Sequence, residues 1–222
     1  MKHRDEEQIL IEGCRNLGYP LPPESVSKFR TYLDLLLSWN RRVNLFSKRD
    51  ESRLVSQHIL PSLAPLIVLP QGPLRVVDIG SGAGFPGIPL KIVRPELVLA
   101  LVESKRKRAL FLRKVVEELA LKEVQVIWAR AEEVATDTAH RDIYDWALAR
   151  AVADLPTLLG YAFPLLREEG GLIAYKTSER ARRELRGWDL RWEVHEVVVH
   201  PSLVSVTLVV IKATGELQKF VV

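Results

Sequence analysis

The stretch Asp78-Ile79-Gly80-Ser81-Gly82-Ala83-Gly84-Phe85-Pro86-Gly87 follows an apolar run and opens a helical one, which leaves few folds open to the chain. Glycines stand where a strand turns sharply and a ligand approaches the main chain, since a Cβ there collides with one or the other. The loop is therefore read as a binding loop at the carboxyl end of a strand. A dinucleotide fingerprint starting at Gly80 requires glycine at position 85, where the chain has Phe85, so a nicotinamide cofactor is disfavoured. Asp78, just before the glycines, suits the ammonium of a methionyl group better than a pyrophosphate, because opposite charges at short range attract. S-adenosylmethionine is the better ligand.

The pattern around the loop fits that reading. Short apolar runs at Leu74–Ile79, Leu97–Glu103, Val124–Trp128, Ile143–Ala149, Gly171–Tyr175, Trp192–Val199 and Val204–Ile211 predict seven strands. Helices are expected at Gly87–Val93, Lys105–Leu119, Leu155–Leu166 and Ser178–Arg186, and a hairpin around His200-Pro201-Ser202 joins the last two strands. The alternation predicts an α/β fold, a mostly parallel seven-stranded sheet flanked by helices. Ahead of the break at Gln71-Gly72-Pro73, apolar spacing predicts helices at Gln8–Gly18, from Pro23 to about Trp39–Val43, and through Leu54–Leu63. These readings divide the chain into a helical cap, residues 1–72, and a cofactor-binding unit, 73–222, expected to pack as one compact body.

Further candidates sit at other strand ends. Glu103 ends the second strand, where an acid accepts hydrogen bonds from ribose hydroxyls, with Ser104 beside it. Arg130-Ala131-Glu132 follows the third strand and is placed to address an adenine edge. Arg150 ends the fourth strand and Lys176 the fifth, so both are expected to face the same crevice. The tryptophans at 128, 146, 188 and 192 are read as core or edge packing.

Composition bounds the rest. The 222 residues are 47% hydrophobic and 27% charged, within the globular range, and 32 basic against 28 acidic residues give a net charge of +4. That excess permits a polyanionic partner without requiring one. The single cysteine, Cys14, excludes an internal disulfide and a cysteine-based zinc site, and no metal is expected. The longest apolar stretch, Leu63–Leu69, is too short for a membrane span, and the polar, acidic start is unlike a secretory signal, so a cytoplasmic protein without membrane contact is expected.

Several segments resemble the RsmG/GidB family of bacterial 16S ribosomal RNA guanine-N7 methyltransferases. The densest is Asp78 to Pro95, DIGSGAGFPGIPLKIVRP; others are Trp39-Asn40 with Asn44-Leu45, His58-Ile59-Leu60, Lys107-Arg108, Arg130-Ala131-Glu132-Glu133, Ala149-Arg150-Ala151-Val152-Ala153 and Tyr175-Lys176. The resemblance implies the class I (Rossmann-like) methyltransferase fold, S-adenosyl-L-methionine as donor, S-adenosyl-L-homocysteine as product, and methylation of one guanine, usually numbered 527, in 16S rRNA or a small-subunit precursor. By motif, Gly80, Phe85, Ala131, Glu132 and Arg150 are the implied cofactor contacts, joining Asp78, Gly82, Glu103 and Ser104. His58, Lys107, Arg130, Arg150 and Lys176 line the implied RNA side, with His58, Arg130, Arg150 and Lys176 nearest the chemistry. A monomer is favoured. Two positions depart from the family pattern: Pro61 replaces the usual aspartate after His58-Ile59-Leu60, and Val206-Thr207 stands where an arginine is common. Alternative readings are a small-molecule methyltransferase on the same fold and a non-enzymatic RNA-binding module, the latter leaving the glycine loop without a purpose.

Overall fold

The computed structural model describes residues 2–203 and 205–213, with side chains from residue 6 onward. Seven strands form one sheet: β1 (Arg75–Ile79), β2 (Val98–Val102), β3 (Val124–Ile127), β4 (Tyr144–Arg150), β5 (Leu166–Tyr175), β6 (Trp192–Val197) and β7 (Val206–Lys212). Their order is β3-β2-β1-β4-β5-β7-β6, with β7 antiparallel to both β5 and β6 and the other pairs parallel. The chain leaves β1 toward β2 on one side and later returns to lay β4 on the other. That reversal opens a crevice at the carboxyl ends of β1 and β4, where open α/β sheets bind ligands.

The expected strands are found with small shifts at their ends; Val204, the expected start of the last one, lies outside the described residues. The largest difference is β5, which begins at Leu166 rather than Gly171. Leu166 pairs with Tyr144, the register then shifts, and Trp146 pairs with Gly171, so the polar Arg167-Glu168-Glu169 bulges out of the ladder. The helix expected to reach Leu166 stops earlier. α7 (Leu155–Ala162) tightens into a 3-10 turn over Phe163–Leu165, around Pro164.

Before the sheet come α1 (Lys2–Asn16) and α2 (Pro23–Val43). Pro23 occupies the first turn of α2, where its missing N–H costs nothing, and Phe29, Tyr32, Leu36 and Asn40 form the buried stripe. Asn44 ends the helix in the left-handed region (φ 50°), while the Asn40 Oδ1 accepts from the amides of Leu45 and Phe46. The helix expected through Leu54–Leu63 is found with a π turn inside it: Leu54 is helical, Val55–Ile59 forms the π turn and α3 (Leu60–Ser62) follows, all preceded by a 3-10 turn at Lys48–Arg53.

α4 (Gly87–Val93), α5 (Arg106–Glu118), α6 (Ala131–Thr136) and α8 (Ser178–Glu184) complete the flanking layers; the apolar spacing did not predict α6. Leu10, Phe29, Tyr32, Leu36 and Leu63 from the N-terminal elements share one buried cluster with Ile88, Phe111, Leu101 and Leu148. The opposite sheet face packs on α7 through Val77, Ala147, Leu158 and Leu159. Cys14 is buried, which pushes its thiol up to about 12. Among the described residues no helix is long and apolar enough to cross a membrane.

Candidate active site

The glycine loop leaves β1 through three residues with positive φ: Gly80 (70°), Gly82 (58°) and Gly84 (95°). A Cβ on Gly80 would lie 2.7 Å from the Val152 Cγ2, and one on Gly84 would meet the Ile88 Cγ1 at 2.7 Å and the Tyr32 hydroxyl at 2.9 Å. The turn is fastened by the Gly84 and Phe85 amides on the Ser81 carbonyl, by the Ser81 hydroxyl on the Asp78 carbonyl, and by the Tyr32 hydroxyl on the Ala83 carbonyl at 2.6 Å. Backbone freedom and close approach are thus both needed here.

Beside the loop lies a crevice of about 220 Å³, lined by Gly80, Val102, Ser104, Ala129, Arg130, Ala131, Glu132, Val152, Ala153 and Tyr161. The structure therefore brings Gly80, Ser104, Arg130, Ala131 and Glu132 together from the ends of β1, β2 and β3. Glu103 borders it, fully engaged with main chain: one carboxylate oxygen accepts from the Gly82 amide at 2.9 Å and the other from the Lys105 amide at 2.7 Å. Each oxygen keeps a second lone-pair direction for a ligand hydroxyl. Glu132 accepts from the Tyr161 hydroxyl at 2.9 Å; its own backbone amide first, and this bond second, hold its carboxyl below the usual range, and the same bond raises the Tyr161 phenol above its own.

Asp78 is completely buried beneath the loop. Its Oδ2 accepts from the Gly87 amide at 3.0 Å, while Oδ1 is buried with no hydrogen-bond partner among the described residues. Burial pushes this carboxyl up to about 7, opposed by the Gly87 amide bond and the charge of Arg150.

A second cluster stands across the loop and centres on Phe85. The His58 ring stacks on it, centroids 5.1 Å apart and planes 9° from parallel, and Tyr32 meets it edge-on at 6.0 Å. The Arg150 guanidinium lies 5.8 Å from the Phe85 ring centre and 5.6 Å from that of Tyr175. It donates to the carbonyls of Gln57 (3.0 Å) and His58 (3.2 Å) and to the Ser62 hydroxyl (3.2 Å). Pro61 has no N–H to offer the Gln57 carbonyl, the acceptor four residues earlier, and Arg150 fills that place.

His58 has a carboxylate partner despite Pro61: the Asp50 Oδ2 lies 3.2 Å from the His58 Nε2. Burial and the nearby Arg150 charge still lower the His58 pKa from its ordinary value. Asp50 was not singled out from the sequence, because eight residues across a 3-10 turn form no helical or strand repeat. At the other departure, the Thr207 hydroxyl donates to Glu196 at 2.9 Å.

Two candidates lie elsewhere. Lys176 does not face the crevice as expected: its ammonium is almost buried, donating to the Ala153 carbonyl at 2.6 Å and paired with Glu184 at 3.2 Å. Those acceptors turn it back under the loop after β4. Lys107 is exposed and lines a separate groove between α2 and α5. Of the tryptophans, Trp146 is buried, whereas Trp128 is 52% exposed, donating its indole N–H to the Ser104 carbonyl beneath Arg106.

The fold is shared with solved methyltransferases. One from Geobacter sulfurreducens matches with a TM-score of 0.53 at 17% identity, covering 83% of this chain and 88% of that one. An S-adenosylmethionine-dependent methyltransferase from Aquifex aeolicus matches with a TM-score of 0.54 at 15% identity, covering 69% and 89%. Sequence relatives are much nearer. The ribosomal RNA small subunit methyltransferase G of Roseiflexus sp. (strain RS-1) is 44% identical over 91% of this chain and 89% of its own, and that of Thermoanaerobacter pseudethanolicus is 39% identical over 96% and 91%. The GidB family, described as rRNA small subunit methyltransferase G, matches residues 25–209, so the chain belongs to that family of methyltransferases.

Proposed function

We propose that this protein transfers a methyl group from S-adenosylmethionine to N7 of a guanine in 16S rRNA, in the cytoplasm. The supporting observation is the crevice at the reversal point of the sheet, floored by the bare backbone of Gly80 and bordered by Glu103, in a chain of this family.

The residues fit the cofactor. Gly80 and Gly82 offer main chain without a Cβ, Glu103 has acceptor capacity for ribose hydroxyls, and Ser104, Ala131 and Glu132 surround the place for an adenine. The buried, unpartnered Asp78 Oδ1 gives the site a carboxylate oxygen still lacking a donor. When bound, S-adenosylmethionine supplies an electrophilic methyl on a sulfonium.

The protein's task is then mainly alignment. Guanine N7 carries an in-plane lone pair and no proton, so the nucleophile needs no base to create it. Transfer would form the N–CH3 bond as the S–CH3 bond breaks, leaving the bonding pair on sulfur and the positive charge on the purine, so alignment is what falls to the chain's own residues. Holding the reactants in line is worth up to roughly 7–11 kcal/mol. Arg150 still has donors, since a guanidinium carries five N–H groups and three bonds are made here. Those donors suit O6 or a phosphate, because a donor on N7 itself would block transfer. His58, stacked on Phe85, forms the wall facing the base, and Arg130 is an exposed phosphate contact at the crevice rim. Lys176 acts at one remove by holding the Ala153 carbonyl.

The test is direct. Purified protein, labelled S-adenosylmethionine and 16S rRNA or small-subunit precursors should yield 7-methylguanosine in nuclease digests, and cells lacking the gene should lose one such nucleotide. Label in another nucleoside or in small metabolites instead would reject the assignment.

A further inference from the structure

α2 forms part of the wall of two apolar grooves, and their rims carry opposite charge. The first, about 540 Å³, has Glu6, Glu7, Asp34 and Glu51 around Phe29, Leu33 and Leu37, and its Arg30 is held by Glu7 through two bonds of 2.6 and 2.7 Å. The second, about 460 Å³, lies between the last turns of α2 and the first half of α5. It is lined by Ser38, Trp39, Arg42, Val43, Lys107 and Leu110, so its only charged lining residues are cations.

Neither Arg42 nor Lys107 has an ion-pair partner among the described residues, and Leu110 is 45% exposed. The Trp39 ring is held in place by Phe111, centroids 5.6 Å apart. The groove also adjoins the cofactor loop: Arg108, the next residue after Lys107, donates to the Asn44 carbonyl at 3.1 Å, and its guanidinium would lie 3.9 Å from a Cβ on Gly82.

An apolar surface with free cations at its edge, one residue from the loop, matches one class of occupant. A nucleotide of single-stranded RNA has a flat face to lay on apolar side chains and a phosphate for lysine and arginine. The acidic groove repels the same ligand. We propose that the α2–α5 groove is a second RNA subsite, which takes a base flanking the target guanine on Trp39, Val43 and Leu110 and its phosphate between Arg42 and Lys107. This rests on the proposed rRNA substrate, and splaying the neighbouring nucleotide here would help free the target base from its stack.

Three variants test it with transcribed 16S rRNA. Arg42→Ala/Lys107→Ala removes the cations; Ser38→Trp fills the groove at unchanged charge; Arg182→Ala/Arg183→Ala removes two exposed cations on α8 as a control. The first two should each raise the KM for rRNA about tenfold, leaving kcat and calorimetric S-adenosylmethionine affinity unchanged. The cation variant should also reduce the salt slope of RNA binding, read by fluorescence anisotropy, by about 0.7, as expected for the loss of one phosphate contact. The control should behave as wild type. A normal rRNA KM and RNA affinity for Ser38→Trp overturns the subsite even if the cation variant is weakened, since that describes surface charge alone. An acidic peptide displaced by these variants with RNA binding unchanged overturns it as well. Wild-type protein that methylates no rRNA rejects the proposed function instead, and anisotropy still decides the groove.

Discussion

The two sides of Phe85 are built by different means. On one side the glycine loop runs from a regular strand to a regular helix, held by main-chain bonds and by carboxylates that accept from its amides. On the other, residues 44–62 contain a left-handed cap, a 3-10 turn, a π turn and a helix interrupted by Pro61, and carbonyls that a regular helix would use internally point to Arg150. The loop gets its shape mainly from the glycines of its own sequence, with Tyr32 and Glu103 as its distant ties. The segment gets its shape from a side chain that arrives from β4, about ninety residues later.

Arg150→Ala does the most damage, because it removes the cation that holds three groups of the segment while lying against Phe85. Three donated bonds go; the His58 carbonyl keeps the Ser62 hydroxyl as a donor at 2.6 Å while the Gln57 carbonyl loses the guanidinium, for about 2–3 kcal/mol of stability. Methyl transfer should fall by about 100-fold or more, checked by initial rates on rRNA, with a lower Tm. Arg150→Lys should not restore it, since one ammonium cannot span the three acceptors while lying against Phe85 and Tyr175. Rates within a few-fold of wild type would show that the segment holds itself.

Gly80→Ala should come next and act on the loop alone. The left-handed backbone costs a Cβ-bearing residue roughly 1–2 kcal/mol, and the new methyl would overlap Val152. S-adenosylmethionine affinity by calorimetry should drop about tenfold or more, and the Tm should fall by a few degrees, roughly 2–4 °C per kcal/mol. Adding Val152→Ala should recover only part of the loss, because removing the clash leaves the backbone cost.

Asp78 tests the loop through pH. Burial raises its folded-state pKa from 3.8 to about 7, so between those values the folded chain holds a proton that the unfolded chain has released. That contribution to stability is complete below about pH 4 and is lost as pH rises through about 7. Asp78→Asn, which can still accept from the Gly87 amide, should remove this component from a plot of unfolding free energy against pH. A variant with the wild-type slope would mean that the carboxyl is ionised in the fold.

This contrast also explains what could be read from the residues alone. Strand cores were legible because burial on both faces demands apolar runs, unbroken in Leu99–Val102 and interrupted only by the buried Asp78 in Val76–Ile79. The start of β5 was not, since Arg167-Glu168-Glu169 reads as a turn and pairs only across a bulge. The loop announced itself through glycines with a steric reason to be there. Asp50 beside His58, and the reversal of Lys176 toward Glu184, depend on which distant side chain reaches which atom, and no local period encodes that.

Pro61 gives the smallest and sharpest test. Pro61→Ala restores an amide four residues after Gln57, so the carbonyl now shared with Arg150 acquires a local donor, and the turn can relax toward a regular helix. The Arg150 bonds to His58 and Ser62 remain, and the Pro61 carbonyl can still accept from Tyr175, so the fold should hold. The expected outcome is a loss of methyl transfer of less than about fivefold, carried by kcat rather than by the KM for S-adenosylmethionine, because the cofactor crevice lies on the other side of Phe85. A rise in that KM instead would mean that the two sides are mechanically one, and the distinction between a self-shaped loop and a borrowed segment would fail.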